Sequence, residues 1–135
     1  MNAKLENKIF NKFKKLFSNS SLSEIQCEDG WYELIFNLCK KLQHYVDENK
    51  CPQMQFVEIK EKLALLRFHI AFEEGDLSEE MNREILNMIK KVTDNSFKVC
   101  ELTGGYGVLC EKNGNLKTLS KESAVLLGYE PIKNY

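Results

Sequence analysis

The chain has 135 residues, of which 43% are hydrophobic and 29% are charged, and its formal net charge is −1. This size and composition fit one domain with one hydrophobic core. No apolar run approaches the roughly 18 residues that a membrane-spanning helix requires. Lysines also interrupt the apolar residues near the N-terminus, where a signal peptide would be continuously apolar. We therefore expect a cytoplasmic protein without a membrane span.

The charge is distributed unevenly along the sequence. Residues 1–17 contain five lysines and one glutamate, a net charge of +4, so that the rest of the chain carries −5. A general nucleic-acid-binding protein would have a broader basic footprint. The five cysteines are odd in number and widely spaced, which predicts reduced thiols rather than a disulfide framework.

The first predicted element is a basic amphipathic helix within residues 1–20. The lysines lie off its apolar face, and the Ser- and Asn-rich residues 18–21 are expected to end it. The three phenylalanines of the apolar face predict docking on the core, although a basic, aromatic helix can also bind an anionic membrane or another protein. The residues of this face are Leu5, Ile9, Phe10, Phe13, Leu16 and Phe17.

Residues 21–96 are expected to form a core of helix, hairpin and helix. The first of these helices has a clear 3.6-residue apolar period, with Asp29 as its predicted N-cap and Asn49 near its end. Two strands, Met54–Lys60 and Leu65–Phe72, are expected to pair as an antiparallel hairpin with one solvated face.

A third helix is predicted after a short loop, with Ser78 as its N-cap and residues 93–96 as its end. Its expected buried stripe consists of Met81, Ile85, Met88, Ile89 and Val92.

Residues 97–135 predict a turn-rich end. A strand is expected at Phe97–Cys100, followed by a glycine turn and then by a hairpin whose turn is Asn113-Gly114. Ser120 is expected to cap a short helix that ends before Gly128. Together with the preceding elements, this predicts a single α+β domain, 1–135, with three main helices packed on a small antiparallel sheet.

Four positions of this C-terminal end have the spacing of a zinc site. The pattern C-x2-T-x16-S-x2-S, formed by Cys100, Thr103, Ser120 and Ser123, matches the frame C-x2-C-x15–20-C-x2-C of a zinc ribbon. Hydroxyl groups are poor zinc ligands, because the metal prefers thiolates and imidazoles. The sequence therefore predicts a metal-free, zinc-ribbon-like hairpin region and no cofactor.

Three segments of the chain form a recurring combination: Cys27–Ile35, Ile59–Phe68 and the frame that begins at Cys100. Together they resemble a group of small uncharacterised bacterial and phage proteins. These proteins share a C-x-D-G-W-x-x-L-I segment, an I-K-E-K strand pair ending in L-R-F, and a zinc-ribbon-like C-terminus. The resemblance covers about residues 25–125 and implies an organisation but no activity. Leu63-Ala64 replaces the aromatic-glycine turn of these proteins, and three of the four zinc positions are lost.

The sequence contains little evidence for a catalytic site. A reactive cysteine needs a neighbouring base, and the two histidines, His44 and His69, are expected on a helix surface and on a strand face. The glycine turn, residues 103–107, lacks the lysine that completes a phosphate-binding loop. We therefore predict that the protein is not an enzyme.

The candidate binding residues are mostly basic or aromatic. The hairpin is expected to bring Lys60, Lys62 and Arg67 together, with Trp31 or Tyr32 nearby, to bind a phosphate or an acidic surface. Tyr106, in the glycine turn, is a further candidate for binding. The alternative is a solvated hairpin edge, whose lysines prevent edge-to-edge pairing.

Two functions follow as hypotheses. The first is a non-enzymatic binding protein that neutralises or modulates a protein partner, such as a toxin-immunity protein or a phage-encoded inhibitor of host defence. Its basis is the acidic balance after residue 17, which would speed capture of a basic toxin. The alternative is a nucleic-acid-associated accessory protein that uses the basic N-terminal helix and the Lys60/Arg67 hairpin.

Overall fold

The computed structural model describes residues 1–18 and 22–132, and within these ranges it confirms the predicted α+β class. The described elements form four α-helices and two small antiparallel sheets, a two-stranded sheet β1-β2 and a three-stranded sheet in the order β4-β3-β5. In chain order they are α1 Ala3–Lys12, α2 Tyr32–Asn49, β1 Met54–Lys62, β2 Leu65–Phe72, α3 Glu79–Ser96, β3 Val108–Lys112, β4 Asn115–Leu119, α4 Lys121–Leu127 and β5 Glu130–Pro131.

The basic N-terminal helix is shorter than predicted. Asn2 is its N-cap, with a side chain that accepts the N–H of Leu5 at 2.9 Å, and the helix ends at Lys12 because Phe13 leaves the helical region with ψ 51°. A 3-10 turn, Lys14–Leu16, follows. Ile9, Phe13 and Leu16 are buried, which confirms that this face docks on the core. The predicted end at residues 18–21 lies mostly outside the described residues.

Helix α2 starts differently from the prediction. The N-cap assigned to Asp29 is wrong: residues 29–31 form a 3-10 turn, and α2 begins at Tyr32 without a side-chain cap. The carboxylate of Asp29 instead accepts the backbone N–H and the side-chain amide of Asn2, each at 2.8 Å. A tertiary partner has therefore replaced the local capping bond. The apolar stripe of α2 is buried as predicted, at Ile35, Leu38, Cys39, Leu42 and Val46.

The β1-β2 hairpin is antiparallel, as expected, and runs from the pair Met54↔Phe72 to the pair Lys62↔Leu65. Its register shifts between Phe56 and Glu58, which explains why two adjacent apolar residues interrupt the alternation there. The free edge of β1 is partly covered, because the backbone N–H of Gln26 bonds to Ile59 and its carbonyl accepts the N–H of Glu61, both at 2.9 Å.

The turn of this hairpin holds two non-glycine residues in the left-handed region, Leu63 with φ 53° and Ala64 with φ 69°. A left-handed conformation costs such a residue roughly 1–2 kcal/mol, which exceeds the entropic cost of glycine. Leu63 is 60% exposed, so Leu63→Gly is expected to raise the free energy of unfolding by about 0.5–1 kcal/mol, as measured by urea denaturation. Leu86→Gly, in the middle of α3, is the control and should lower it by a similar amount. A loss of stability in both variants would contradict the strain argument.

Helix α3 begins as predicted, because the Ser78 hydroxyl accepts the N–H of Met81 at 3.1 Å. In the expected stripe Ile85 is fully buried, and the other four residues are partly buried against the same core. The far end of α3 is held to the hairpin, since the Ser96 hydroxyl accepts the N–H of Leu66 at 2.9 Å. None of the described helices combines the length and the apolar character that crossing a bilayer requires.

The C-terminal end contains one wrong prediction and several confirmed ones. The strand predicted at Phe97–Cys100 is reduced to a single bridge between Val99 and Tyr106, because the chain curls back at Cys100, whose carbonyl accepts the N–H of Gly104 at 2.9 Å. The β3-β4 hairpin turns at Asn113 and Gly114, with φ 50° and 84°, as expected.

The short helix α4 has both predicted caps. The Ser120 hydroxyl accepts the N–H of Ser123 at 3.2 Å, and Gly128 adopts the left-handed conformation with φ 76°. Strand β5, which no sequence pattern indicated, adds to the outer edge of β3. The described part of the chain has two apolar clusters, a main core and a smaller one formed by Cys100, Cys110, Leu119 and Ala124.

Candidate functional site

The outer face of the β1-β2 hairpin assembles the three predicted cations. Lys60 and Arg67 are cross-strand partners, and Lys62 lies two residues along β1 from Lys60. The face is not purely basic, because the Glu58 carboxylate lies 3.2 Å from the Lys60 ammonium and pairs across the sheet with His69. Arg67 and Lys62 are exposed and keep their charges available. The face can thus contact an anion, but with weaker attraction than three unpaired cations would give.

The aromatic residues expected beside these cations have other roles. Trp31 is fully buried, and its indole N–H donates to the carbonyl of Val99 at 2.8 Å. Its side chain is therefore inaccessible to a ligand, which leaves Tyr32 as the aromatic candidate of the predicted pair. Tyr32 is half-buried, with its ring centroid 5.8 Å from that of Phe36.

The C-E-D-G-W segment instead joins the helical core to the C-terminal region. The N–H of Gly30 donates to the carbonyl of Glu101 at 2.7 Å, and the carboxylate of Glu101 accepts the N–H of Glu28 at 3.1 Å. Glu101 is itself buried and lies 3.3 Å from the ammonium of Lys117. Burial raises the pKa of Glu101, and the charge of Lys117 opposes this rise. The segment is thus a structural junction.

The four positions with zinc-site spacing meet in the structure. The thiol of Cys100 is 3.6 Å from the Ser123 hydroxyl, which accepts a hydrogen bond from the hydroxyl of Ser120 at 3.0 Å. The hydroxyl of Thr103 closes the cluster, since it accepts the N–H of Gly105 at 3.2 Å and bonds to the Cys100 sulfur. Within residues 1–18 and 22–132, no group of three or more His, Cys, Asp or Glu side chains comes together as a metal site would require.

The environment of the Cys100 thiol sets it apart from the other cysteines. Burial raises its pKa, but hydrogen bonds from the Thr103 and Ser123 hydroxyls and from the backbone of Thr103 and Ser120 outweigh burial and lower it from 9.0 to about 6. Burial raises the pKa of the Cys27 thiol to about 12, and the pKa values of Cys51 and Cys110 are also raised. All five thiols are free and buried.

Tyr106 lines a cavity beside this cluster. Its side chain is 76% exposed, and the cavity, of about 510 Å³, is also lined by Thr103, Ser120 and Lys121. The glycine turn therefore borders a concave surface whose lining includes hydroxyl groups and an exposed aromatic ring.

A groove between α2 and α3 was not indicated by the sequence. Its volume is about 540 Å³, and its walls are residues of both helices, including Lys41, His44 and Tyr45 of α2 and Met88 and Lys91 of α3. His44 is exposed, as expected for a surface histidine. Each helix carries a recognisable stripe, but the sequence has no signal for how two stripes more than thirty residues apart face each other.

A second feature that sequence reasoning missed is the acidic segment, residues 73–80. It carries five carboxylates and no basic residue, and all five are exposed. The run E-E-G-D-L-S-E-E is visible in the sequence, where it predicts only a loop and a helix start. The exposure of all five carboxylates within eight residues makes this segment a candidate for binding.

Comparison with known proteins does not assign this chain to a family. No protein-family model, no curated protein and no solved structure matches it.

Proposed function

We propose that this chain is a non-enzymatic, cytoplasmic binding protein whose partner is a protein with a basic surface. The observation that carries the proposal is the acidic segment, with five exposed carboxylates in eight residues. Among the described residues, none of the five forms an ion pair. Like charges held together oppose the compact state, whereas a complementary charge on a partner turns the same field into attraction.

The state of the thiols supports a binding role over cysteine catalysis. A nucleophilic cysteine needs an accessible thiolate, but burial raises the pKa values of Cys27, Cys51 and Cys110. The thiol with a lowered pKa, Cys100, is fully buried and bonded to hydroxyl groups.

In its specific form, the proposal makes the partner a toxin or a component of a host defence system, and the chain an immunity protein or a phage-encoded inhibitor. A toxin that cleaves nucleic acid must itself attract phosphates and is therefore typically basic. Such a partner would meet the acidic segment with complementary charge, which raises the rate of association more than the affinity.

The test uses the product of the neighbouring gene, expressed together with this chain and purified with it. A stable complex is expected, with an association rate that falls steeply as ionic strength rises. Neutralising the acidic segment should slow association by roughly ten- to a hundredfold at low salt, as measured by stopped-flow fluorescence. The changes are Glu73→Gln, Glu74→Gln, Asp76→Asn, Glu79→Gln and Glu80→Gln.

A matched control removes the same number of exposed carboxylates elsewhere, at Glu24, Glu33, Glu111, Glu122 and Glu130. The control variant should associate almost as fast as the unchanged chain at moderate salt, because screening limits distant charges. Purification of the chain without its neighbour's product, or equal slowing by both variants, would contradict the proposal.

A second candidate, a nucleic-acid-associated accessory protein, is favoured by one observation: all five lysines of the N-terminal region are exposed. If they contact phosphates, binding to single- or double-stranded nucleic acid should weaken steeply with salt. Replacing the five lysines with glutamine should then flatten this salt dependence in fluorescence anisotropy. No binding at low salt would remove this candidate. The residues to replace are Lys4, Lys8, Lys12, Lys14 and Lys15.

A further inference from the structure

We propose that the groove between α2 and α3 binds a small amphipathic carboxylate, whose charged group lies between Lys41 and Lys91 and whose apolar part lies on the groove floor. None of the residues that line the groove belongs to the acidic segment, although Glu80 of that segment lies near one end of the groove. The site therefore stands or falls independently of the proposed protein partner.

The groove follows the seam between two antiparallel helices. Tyr45, near the end of α2, is close enough to Glu80 and Glu84 in the first turns of α3 for their charges to act on its hydroxyl. At the other end, Asn37 of α2 and Asn95 of α3 line the same groove. The groove thus spans several helical turns, and each wall is a regular, rigid helix.

The floor of the groove is apolar. On α2 it is formed by Leu34, Leu38 and Tyr45, and on α3 by Met88 and Val92. Leu38 is fully buried, whereas the other four side chains keep part of their surface open to the groove. A concave apolar floor with a few convergent polar groups is typical of small-ligand sites, and a volume of about 540 Å³ lies within their usual range of roughly 300–1,000 Å³.

The rim of the groove carries positive charge, which its apolar floor lacks. Lys41 stands on the α2 wall and Lys91 on the α3 wall, so that one cation flanks each side of the groove. In the ranges 1–18 and 22–132, neither lysine forms an ion pair, although the neighbouring Lys90 pairs with Asp94 at 2.8 Å. Two unpaired cations over an apolar floor fit one anionic group attached to an apolar body.

The remaining charges limit the ligand to a single negative charge. Glu48 lines the groove near Tyr45, and Glu80, Arg83 and Glu84 lie close to the same end, where the three carboxylates outnumber the one cation. These carboxylates repel a second anionic group on the ligand, and they orient a monoanion with its charge toward Lys41 and Lys91. A medium-chain or aromatic monocarboxylate satisfies both conditions.

Octanoate is the probe for the test. Isothermal titration of the full chain should give one site with a Kd of about 1 mM or below, the range expected for so small a ligand. In NMR spectra, octanoate should shift the methyl signals of Met88 and Val92 before those of Val125 or Leu126, which are exposed on α4. Octanol, with the same chain and no charge, should bind more weakly.

The double variant Lys41→Gln/Lys91→Gln should weaken octanoate binding roughly three- to thirtyfold, the range expected for two partly exposed charge contacts. The matched control is Lys40→Gln/Lys98→Gln, two exposed lysines that do not line the groove and that form no ion pair among the described residues; it removes the same charge and should leave the Kd within about twofold of the original. Circular dichroism establishes that both variants remain folded. No octanoate binding, equal binding of octanol, or equal loss in both variants would overturn the proposal.

Discussion

Replacing Gly30 with alanine is expected to lower the free energy of unfolding by about 3 kcal/mol or more, a large part of the stability of a domain this size. The reason is a close approach of two backbone segments. A Cβ at residue 30 would meet the carbonyl oxygens of Cys100 and Glu101, the second at 2.5 Å. Backbone atoms cannot yield as a flexible side chain can, so the two segments would have to separate.

That separation would also cost the contacts that depend on it. The N–H of Gly30 would lose the Glu101 carbonyl, and the indole N–H of Trp31 would move away from Val99. Urea denaturation followed by circular dichroism measures the change, and the melting temperature should fall by on the order of 10 °C.

Gly105→Ala provides the control for Gly30→Ala. Gly105 has a negative φ, and a Cβ there would touch only the Thr103 hydroxyl at 3.5 Å, an ordinary contact. Its stability should therefore stay within about 0.5 kcal/mol of the original, as for most exposed substitutions. Equal effects of the two substitutions would show that the junction at residue 30 is not tightly packed.

The second large effect is a dependence of stability on pH that comes from Cys100. Its thiol has a pKa of about 6 in the folded chain, whereas the unfolded chain keeps the ordinary thiol pKa of 9.0. Between these values the folded state has released a proton that the unfolded state keeps, so stability rises with pH. The contribution is present above pH 9, falls with each pH unit below it, and is lost below pH 6, a total of at most about 4 kcal/mol.

The measurement is the free energy of unfolding across this pH range for the unchanged chain and for Cys100→Ala. The difference between the two curves should grow as pH rises from about 6 to 9. Cys110→Ala is the matched control, because Cys110 belongs to the same apolar cluster and burial raises its pKa. This control should lose stability by a similar amount at every pH up to about 9. A constant difference for Cys100→Ala would mean that its thiol stays protonated.

The metal-free prediction for the C-terminal end bears on the same residue. The spacing of Cys100, Thr103, Ser120 and Ser123 was visible in the sequence, and so was the chemical weakness of three hydroxyls as zinc ligands. The hydrogen bonds among the four side chains were not visible, because they depend on how the glycine turn and the start of α4 approach each other. The pKa of the thiol follows from those bonds and could not be derived from spacing.

Local structure was predictable wherever neighbouring residues along the chain decide it. The apolar period of α2, the Ser78 and Ser120 caps, and the Asn113-Gly114 turn all depend on side chains within a few positions of one another. The two wrong predictions have different causes. The Asp29 carboxylate bonds to Asn2 instead of capping α2. The strand expected at Phe97–Cys100 is replaced by a turn at Cys100, whose carbonyl accepts the N–H of Gly104. The bond of Asp29 joins residues 27 positions apart, whereas the bond from Gly104 to Cys100 spans only four, so a local turn replaced the predicted strand there.

The two candidate binding surfaces differ in what determines them: local sequence determines the acidic segment, and tertiary structure determines the groove between α2 and α3. The five carboxylates of the acidic segment lie within eight residues, so the sequence alone determines their local charge. It also indicates their exposure, because a loop and a helix start rich in charge remain in solvent. The groove was decided by tertiary structure. Lys41 and Lys91 are fifty residues apart, and they flank one groove because the buried faces of α2 and α3 fix how the two helices align.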